Sequence, residues 1–474
     1  MKEGYIKRED RKNILLLTDD IRVHSGVAQI GREMVLNTCH KFNWVQLAGA
    51  ITHPEKGKRL DLSKDTADKA GVEDASVMLY PTDGYGNPDL LRQVVKSENI
   101  DAIFLITDPR YFTWLFQMEN EIRKDTPIAY LNIWDDYPAP AYNREYYESC
   151  DALFGISKQT VNINKIVLGD KANDKVIKYV PHGLDTSIFK PIEDEVEEFT
   201  KFKKYIREDK DFVLLFNSRN IRRKQIPDTL LAWKLFLDKL SEEERNEVRF
   251  VLHTQPIDEN GTDLTAIVDY LFGEDNDSVV FSNNKLSTEQ MSYLYNSADG
   301  TILLTSNEGW GLALTESLLT GTPIIANTTG GMQDQMRFVD NEGNWFTPTP
   351  EIPSNHRGTF KKHGKWALPV FPTNISIQGS VPTPYIFDDR CSAEDAAEQI
   401  YNLYKMSSKE RKEIGLEGHK WATSDEAGFT AEKMGENIIE GMEELFSTWQ
   451  PREKFEFLSD DDFQPRKLEH SLKY

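Results

Sequence analysis

The segment LLTSNEGWGLALTESLLTGTPIIANTTGGM, residues 303–332, is the most informative stretch of the chain for its fold. Its first apolar residues predict a strand that ends at Thr305, and a turn containing glycine follows. A helix is predicted to begin near Gly311, and the apolar run 323–326 predicts the next strand. This strand–turn–helix–strand order is typical of a parallel sheet whose faces are covered by helices.

The same alternation continues on both sides of this segment, in two series separated by a charged stretch. Apolar residues at helical spacing fill several of the gaps between short apolar runs. The predicted strands are 13–18, 44–51, 76–81, 101–107, 127–133, 152–157 and 175–181 in the first series, and 212–217, 248–255, 279–282, 300–305 and 323–326 in the second. We therefore expect an α/β protein with two doubly wound parallel-sheet domains, with ligands at the carboxyl ends of the strands or in the cleft between the domains.

The domain boundaries follow from where this pattern lapses. Residues 1–190 are predicted to form the first domain, and the charged residues 191–210 a linker that contains at most one exposed helix. Residues 211–450 are predicted to form the second domain. Within it, 337–390 is expected to be an ordered but irregular insertion, because its tryptophans and phenylalanines need burial. Residues 451–474 are expected to be a loosely held, charged tail.

The composition limits the classes of partner. The 474 residues carry a formal net charge of −22, so the chain gives no strong signal for binding nucleic acid or an anionic membrane. No apolar run is long enough to span a bilayer, and the 3 cysteines form no CxxC pair. We expect a cytoplasmic protein without a disulfide framework, a metal site or a cofactor. The oligomeric state is left open by the sequence.

Two glutamates in the central segment suit a ligand that carries several hydroxyls. Glu308 lies in the predicted turn and Glu316 lies eight residues later, in the helix. A carboxylate accepts hydrogen bonds from two neighbouring hydroxyls, as in ribose or a hexose. The free backbone N–H groups at the start of the helix favour a phosphate beside them. The pattern therefore indicates a phosphorylated, polyhydroxylated ligand.

A basic cluster, NSRNIRRK at residues 217–224, follows the first predicted strand of the second domain. Arg219 and Lys224 could neutralise a diphosphate there, and Arg222 and Arg223 are alternatives. In the first domain, Gly26 follows a strand and would let a ligand approach the backbone. The dinucleotide fingerprint GxGxxG and the phosphate loop GxxxxGK[ST] are both missing from the sequence, which disfavours dinucleotide binding and a P-loop ATPase.

Four motifs together resemble one known family. VPHGLDTSIFKP (180–191) is similar to VPNGVDxxxFxP, SRNIRRK to GRLxxxK, EGWGLALTE to EGFGLxxxE, and GTPIIANTTGG to GxPVVAxxxGG. These are motifs of retaining GT-B glycosyltransferases of the glycosyl transferases group 1 (family 4) type, and they occur here in family order. The resemblance implies two Rossmann-like domains that face a cleft, with C-terminal helices, an acceptor side in 1–190 and a nucleotide-sugar donor side in 211–450.

The resemblance also implies roles for individual residues. Arg219 and Lys224 would bind the donor diphosphate, with Gly26 close to it. Glu316 would hold the ribose hydroxyls and Glu308 the transferred sugar. The backbone amides around the turn would face the phosphate; these belong to Gly309, Trp310, Gly311 and Leu312.

Three places depart from the family pattern. Ser218 stands where the family has the glycine of GR, a change expected to be harmless. His182 stands where the family has asparagine, which leaves open a pH-sensitive contact or a purely structural histidine. NIWDDYPAP (132–140) occupies the region where many relatives place a catalytic histidine. Asp135 is the best match there for an acidic catalytic group, and Asp136 or Tyr137 could shape the acceptor cleft.

The implied activity is retaining transfer of a sugar, with a hexose favoured, from a nucleoside-diphosphate sugar to a glycan or other hydroxyl-bearing acceptor, without a metal. Aromatic residues in loops 82–88 and 108–114 either stack on the acceptor or belong to the core. One alternative is a catalytically silent nucleotide-sugar-binding or partner subunit. A metal-dependent transferase using adjacent aspartates and a pyridoxal-phosphate phosphorylase fit the sequence less well.

Overall fold

The structure is a computed structural model that describes residues 3–273 and 276–452. The charged tail predicted at 451–474 lies, apart from its first two residues, outside the described residues. Within the described ranges, the chain forms two large parallel sheets, each flanked by helices, and one separate two-stranded hairpin.

The first sheet has eight strands in the order β3-β4-β2-β1-β5-β6-β7-β8, and all neighbours except β3 and β4 are parallel. Its strands are Lys12–Asp19 (β1), Phe42–Gly49 (β2), Leu60–Asp61 (β3), Val77–Pro81 (β4), Ala102–Ile106 (β5), Ile128–Asn132 (β6), Ala152–Gly155 (β7) and Val176–Tyr179 (β8). Its helices are Gly26–Thr38 (α1), Ser63–Ala70 (α2), Pro88–Ser97 (α3), Thr113–Phe116 (α4), Glu119–Ile122 (α5), Arg144–Glu148 (α6) and Lys158–Leu168 (α7). The central strands are buried on both faces, as a sheet covered by helices on both sides requires.

The second sheet has six strands in the order β11-β10-β9-β12-β13-β14, again parallel. Its strands are Phe212–Asn217 (β9), Val248–His253 (β10), Val279–Phe281 (β11), Gly300–Leu303 (β12), Ile324–Asn327 (β13) and Ala367–Val370 (β14). The helices of this half are Glu197–Arg207 (α8), Ile226–Leu237 (α9), Glu242–Arg245 (α10), Leu264–Phe272 (α11), Thr288–Asn296 (α12), Leu312–Leu319 (α13), Met332–Met336 (α14), Ala393–Lys405 (α15), Ser408–Ala422 (α16) and Ala431–Thr448 (α17).

The predicted irregular insertion is more regular than expected. It supplies β14, the edge strand of the second sheet, and a hairpin of Asn374–Gln378 (β15) and Ile386–Arg390 (β16). β14 is not among the predicted strands, because the run ALPV is short and contains a proline; prolines are tolerated at sheet edges. Phe346 and Trp366 are buried, as the aromatic content of the insertion predicted, whereas Trp345 and Phe371 are only partly buried.

The predicted linker contains one helix, α8, which is only partly exposed. Phe199 and Ile206 on this helix are buried, and Phe199 packs on Tyr293 of α12 with ring centroids 5.7 Å apart. The helix is therefore anchored to the second sheet's side of the molecule.

The last helix, α17, returns to the first sheet. Gly435 lies against Asn37 of α1, and Gly441 lies so close to Phe154 of β7 that an added Cβ would stand 2.6 Å from its ring. Lys178 of β8 forms ion pairs at 2.8 Å with Glu440 and Glu444 of the helix. Helix α17 thus covers the first domain although it follows the second in sequence.

The hairpin β15–β16 also connects the two halves. The backbone N–H of Phe387 donates to the carbonyl of Tyr137 at 2.6 Å, and the hydroxyl of Tyr142 donates to the carbonyl of Tyr385 at 2.7 Å. On its other side, the N–H of Asp389 donates to the carbonyl of Ser306 at 2.9 Å. We call residues 374–390 the strap. Among the described helices, none is long and apolar enough to cross a bilayer.

Candidate functional site

A cavity of about 470 Å³ lies between the carboxyl edges of the two sheets. The first domain contributes the start of α1 and the ends of β5 and β6, and the second contributes the loops after β9 and β12 and the start of α13. The polar residues that line it are Ser25, Gln29, Asp135, His182, Asn217, Ser218, Arg219, Arg223, Lys224, Glu308 and Glu316. The structure thus brings the residues predicted from separate motifs to one cleft.

The turn after β12 is shaped by two glycines. Gly311 has a φ of +88° and is the residue before α13, so its left-handed backbone starts the helix as the sequence predicted. At Gly309, an added Cβ would lie 2.6 Å from the carbonyl oxygen of Ile133 and 3.1 Å from a carboxylate oxygen of Asp135. Only glycine fits there, and the two domains touch at this point.

Glu308 lies between two cations in this cleft. Its carboxylate accepts hydrogen bonds from the ammonium of Lys224 and, at 2.9 Å, from the guanidinium of Arg223. Burial alone would raise the pKa of Glu308, but Arg223 and Lys224 outweigh it and lower the pKa to about 2. Burial lowers the pKa of Lys224, against the attraction of Glu308. Glu308 is therefore a fixed anion, and its two partners hold positive charge inside the cavity.

The basic cluster divides into an inner and an outer part. Arg223 and Lys224 face the cavity, and the Arg223 side chain also donates to the carbonyl of Asn307 at 2.7 Å. Arg219 reaches the rim, where its side chain is 64% exposed and pairs with Asp258 at 2.9 Å. Arg223, which the sequence offered only as an alternative to Arg219, thus stands nearer to Glu308.

Glu316 lies on the first turns of α13 and is held by two side chains. The hydroxyl of Tyr295 donates to its carboxylate at 2.6 Å, and the amide of Asn217 does so at 3.4 Å. Burial raises the pKa of Glu316 to about 7, although both hydrogen bonds lower it. One carboxylate oxygen is engaged in this way, so the group has acceptor capacity left for a ligand.

The remaining predicted binding residues lie where the two domains approach. An added Cβ at Gly26 would meet the Leu312 side chain at 3.3 Å, so this glycine lets α1 and α13 start close together. The ring of Trp310 is buried, lies 5.0 Å from that of Phe429, and its N–H donates to Thr315 at 2.9 Å. Trp310 therefore holds the turn in place through its side chain, and only its backbone is suited to contact a ligand.

The adjacent carboxyls Asp135 and Asp136 point to different places. Asp135 lines the cavity, burial raises its pKa, and no hydrogen bond to its carboxylate is present among the described residues. Asp136 is buried, and the hydroxyl of Thr329 lies 3.0 Å from its carboxylate and 2.7 Å from that of Asp389 in the strap. Burial and the neighbouring Asp389 raise the pKa of Asp136 well above its usual range. Asp136 joins the domains, and Asp135 is the one available to a ligand.

His182 lines the cavity as a neutral imidazole. It is 7% exposed, packs edge-on against Trp310 with centroids 6.2 Å apart, and its Nδ1 is buried without a hydrogen bond. Burial lowers the pKa of His182 to about 3. It therefore does not titrate near neutral pH. The geometry favours a structural, neutral histidine over a pH-sensitive contact.

This burial predicts an acid-sensitive contribution to stability. Because the folded pKa lies below the unfolded value of 6.5, the contribution is complete above pH 6.5 and is lost as pH falls toward 3. Between pH 7 and pH 5, the free energy of unfolding should therefore fall by about 2 kcal/mol less in His182→Asn than in the parent protein. Urea unfolding at the two pH values measures this difference. His24→Asn, at an exposed position, is the control, and equal losses in all three proteins would contradict the burial argument.

Sequence reasoning missed three contributors to this site. Tyr295 and Asn217 orient Glu316, and the strap borders the turn at Asn307, whose amide donates to the carbonyl of Phe387 at 3.3 Å. No local signal marks Tyr295, because it lies on a helix of ordinary amphipathic pattern. Asn217 is the first residue of the basic cluster, but its role at this site depends on the strand that lies next to β9.

Comparison with known proteins gives a family match over part of the chain and a fold over nearly all of it. Residues 197–352 match the family model described as glycosyl transferases group 1. The resemblance predicted from the motifs is therefore confirmed for the segment that carries the loops after β9 and β12. No curated protein sequence matches the chain.

Solved structures match almost the whole chain. HepE of Anabaena, crystallised with UDP and glucose, is 13% identical with a TM-score of 0.62, and the match covers 92% of this chain and 100% of that one. Sucrose-phosphate synthase of Thermosynechococcus elongatus is 15% identical with a TM-score of 0.64 over the same shares. Trehalose 6-phosphate synthase of Burkholderia multivorans is 9% identical with a TM-score of 0.62, covering 92% and 99%. The predicted GT-B architecture is confirmed.

Proposed function

We propose that this protein is a glycosyltransferase that moves a sugar, a hexose in our expectation, from a nucleoside-diphosphate sugar to a hydroxyl of an acceptor. The observation that carries the proposal is the convergence of Lys224, Glu308 and Glu316 with the start of α13 in one cavity between the domains. The family match and the UDP-glucose complex of the Anabaena protein, which has the same fold, support a nucleotide sugar as the ligand.

The donor would lie along the second sheet's edge. Glu316 accepts hydrogen bonds from the ribose hydroxyls, and the diphosphate lies against the backbone N–H groups at the start of α13 and the cations of the basic cluster. Glu308 accepts hydrogen bonds from hydroxyls of the transferred sugar. Its low pKa keeps it an acceptor over the whole working pH range.

The reaction requires a leaving diphosphate to accept negative charge. The bond between the anomeric carbon and the phosphate oxygen breaks, its electron pair moves to the diphosphate, and the acceptor oxygen forms the new bond. Lys224, Arg223 and the helix amides stabilise the leaving group most when its charge is fully developed, which lowers the barrier. In the retaining mechanism we propose, the acceptor proton passes to the departing phosphate, and Asp135 hydrogen-bonds to the acceptor.

The first test is a thermal-shift panel of UDP, GDP, ADP, TDP and CMP, followed by the corresponding sugar nucleotides. A ligand present at a hundred times its Kd should add about 2.7 kcal/mol to the free energy of unfolding. We expect selective stabilisation by one nucleoside diphosphate, followed by release of that nucleotide from its sugar nucleotide when an acceptor is present.

The outcomes separate the alternatives. Stabilisation without any transfer or donor hydrolysis would favour a catalytically silent nucleotide-sugar-binding subunit, and no stabilisation by any nucleotide would contradict the donor site.

We also propose that transfer needs no metal, because the protein supplies the positive charge. Loss of activity in excess EDTA, restored by a divalent cation, would contradict that part.

A further inference from the structure

A second set of side chains lies at the carboxyl edge of the first sheet. Tyr85, in the loop after β4, stacks on Tyr111, in the loop after β5, with centroids 4.8 Å apart and an interplanar angle of 27°. Phe112 packs edge-on against Tyr85 at 5.4 Å. Tyr111 is 56% exposed. The pair therefore forms a flat aromatic surface, the aromatic platform, with solvent access on the Tyr111 side.

The aromatic platform is tied to the donor cavity through Asp19. The hydroxyl of Tyr85 donates to one carboxylate oxygen of Asp19 at 2.8 Å, and the hydroxyl of Ser25 donates to the other at 2.6 Å. Ser25 lines the donor cavity and also caps α1 by accepting from the N–H of Ala28. The position of the platform relative to the cavity is thus fixed by direct hydrogen bonds.

Backbone strain is concentrated at the same edge. Thr107, directly after β5, has a φ of +96°, and Ala50, directly after β2, has a φ of +75°. A β-branched residue in this region is unfavourable, and such strain persists mainly at functional sites. The hydroxyl of Tyr130 holds Thr107 by donating to its carbonyl at 2.9 Å, and Ile106 beside it lines the donor cavity.

Three basic side chains contributed by these loops are already paired. Arg22 binds Asp20 at 2.8 Å, Lys56 binds Asp83 at 2.5 Å, and Arg110 binds Asp108 at 2.8 Å. A phosphate group bound by any of these three side chains would have to displace its carboxylate. Asp19 and Asp135 add two further carboxyl groups, so the edge repels a second phosphate.

We infer that the acceptor is an uncharged sugar, bound with one ring face on the aromatic platform and a hydroxyl directed toward Asp135, and that sugar phosphates are poor acceptors. This inference rests on the proposed function and deepens it. The acceptor hydroxyl would contact Asp135, whose carboxyl group has no hydrogen bond among the described residues. The sugar ring would stack on an aromatic surface that the core does not cover.

Pairs of acceptors that differ only in a phosphate group test the preference for an uncharged sugar directly. The full chain is assayed with the sugar nucleotide selected by the thermal-shift panel, using glucose against glucose 6-phosphate, fructose against fructose 6-phosphate, and maltose. We expect kcat/KM to be at least about tenfold higher for the uncharged member of a pair. Saturation-transfer NMR of the same sugars, recorded with and without the nucleoside diphosphate, measures acceptor binding independently of turnover.

The variants address the aromatic platform. Tyr111→Ala should raise the acceptor KM about five- to tenfold, the range that corresponds to one aromatic stacking contact, with a smaller effect on kcat. Tyr111→Phe, which keeps the ring, should restore the parent KM. Tyr270→Ala, at an aromatic that is 87% exposed on α11, is the matched control and should leave the acceptor KM unchanged.

Three results would overturn the inference: preference for a phosphorylated acceptor, an unchanged KM in Tyr111→Ala, or neither binding of nor transfer to any uncharged sugar. Failure of the proposed function has a different signature. There, no nucleotide stabilises the protein, while the NMR arm without nucleotide still reports whether uncharged sugars bind at the aromatic platform.

Discussion

Lys224→Met is expected to lower kcat by about a hundredfold or more, the scale for removing one preorganised group that stabilises developing negative charge. Methionine keeps the aliphatic stem but removes the ammonium that contacts Glu308 and faces the cavity. Because Arg223 still pairs with Glu308, the carboxylate does not become an unpaired buried charge. The variant should therefore fold, and steady-state kinetics with the selected donor measure the loss.

The control for this substitution is Lys234→Met on α9, where the lysine pairs with Asp238 at the surface. It should retain the parent kcat. Arg219→Ala is informative beside it, because the family resemblance implies a diphosphate contact while the present geometry pairs Arg219 with Asp258. Near-parent turnover in Lys224→Met would show that the leaving group departs elsewhere and would contradict the site.

Glu316→Gln is expected to weaken nucleoside-diphosphate binding about a hundredfold or more. Hydrogen bonds to a charged acceptor each contribute about 1.5–3 kcal/mol, and two ribose hydroxyls would lose that acceptor. At the ligand concentration that stabilises the parent by about 2.7 kcal/mol, the variant should show little shift in Tm. Tyr295 and Asn217 can still hydrogen-bond to the glutamine amide, so the site keeps its shape.

The pH dependence of binding sharpens this test. With the pKa of Glu316 raised to about 7, the free protein increasingly carries the neutral carboxyl below that pH, and ribose hydroxyls prefer the ionised form. Affinity should therefore fall as pH is lowered from 8 to 6. The unliganded protein should behave in the opposite way, because a raised carboxyl pKa gives stability at low pH that is lost as pH rises through about 7. Glu316→Gln should lack both effects, and parallel pH profiles of parent and variant would contradict the assignment.

Local patterns made much of the second domain's side of the cavity predictable. The residues from Thr305 to Glu316 form one contiguous unit whose turn, helix start and carboxylates are fixed by short-range geometry, so Glu308 and Glu316 could be placed from sequence. Choosing between Arg219 and Arg223 could not be done in this way. Both follow the same strand, and the single helical turn Arg222–Lys224 decides which guanidinium faces inward.

The features that the sequence did not reveal depend on long-range pairing. The strap joins β15 to β16 and then reaches Tyr137 and Ser306 through backbone hydrogen bonds, which leave no side-chain pattern. The hydroxyl of Thr329 contacts both Asp136 and Asp389, which are far apart in the chain. Aspartates in such positions resemble ordinary surface charge until the fold buries them.

The return of α17 to the first sheet has a consequence for synthesis on the ribosome. A chain is made from its N-terminus, and domains generally fold as they emerge. The first sheet is complete once β8 has been made, yet the surface formed by α1 and by Phe154 of β7 is covered only by residues 431–448. During synthesis of the entire second half, the nascent first domain therefore exposes an apolar face, which is covered only after residues 431–448 have been made.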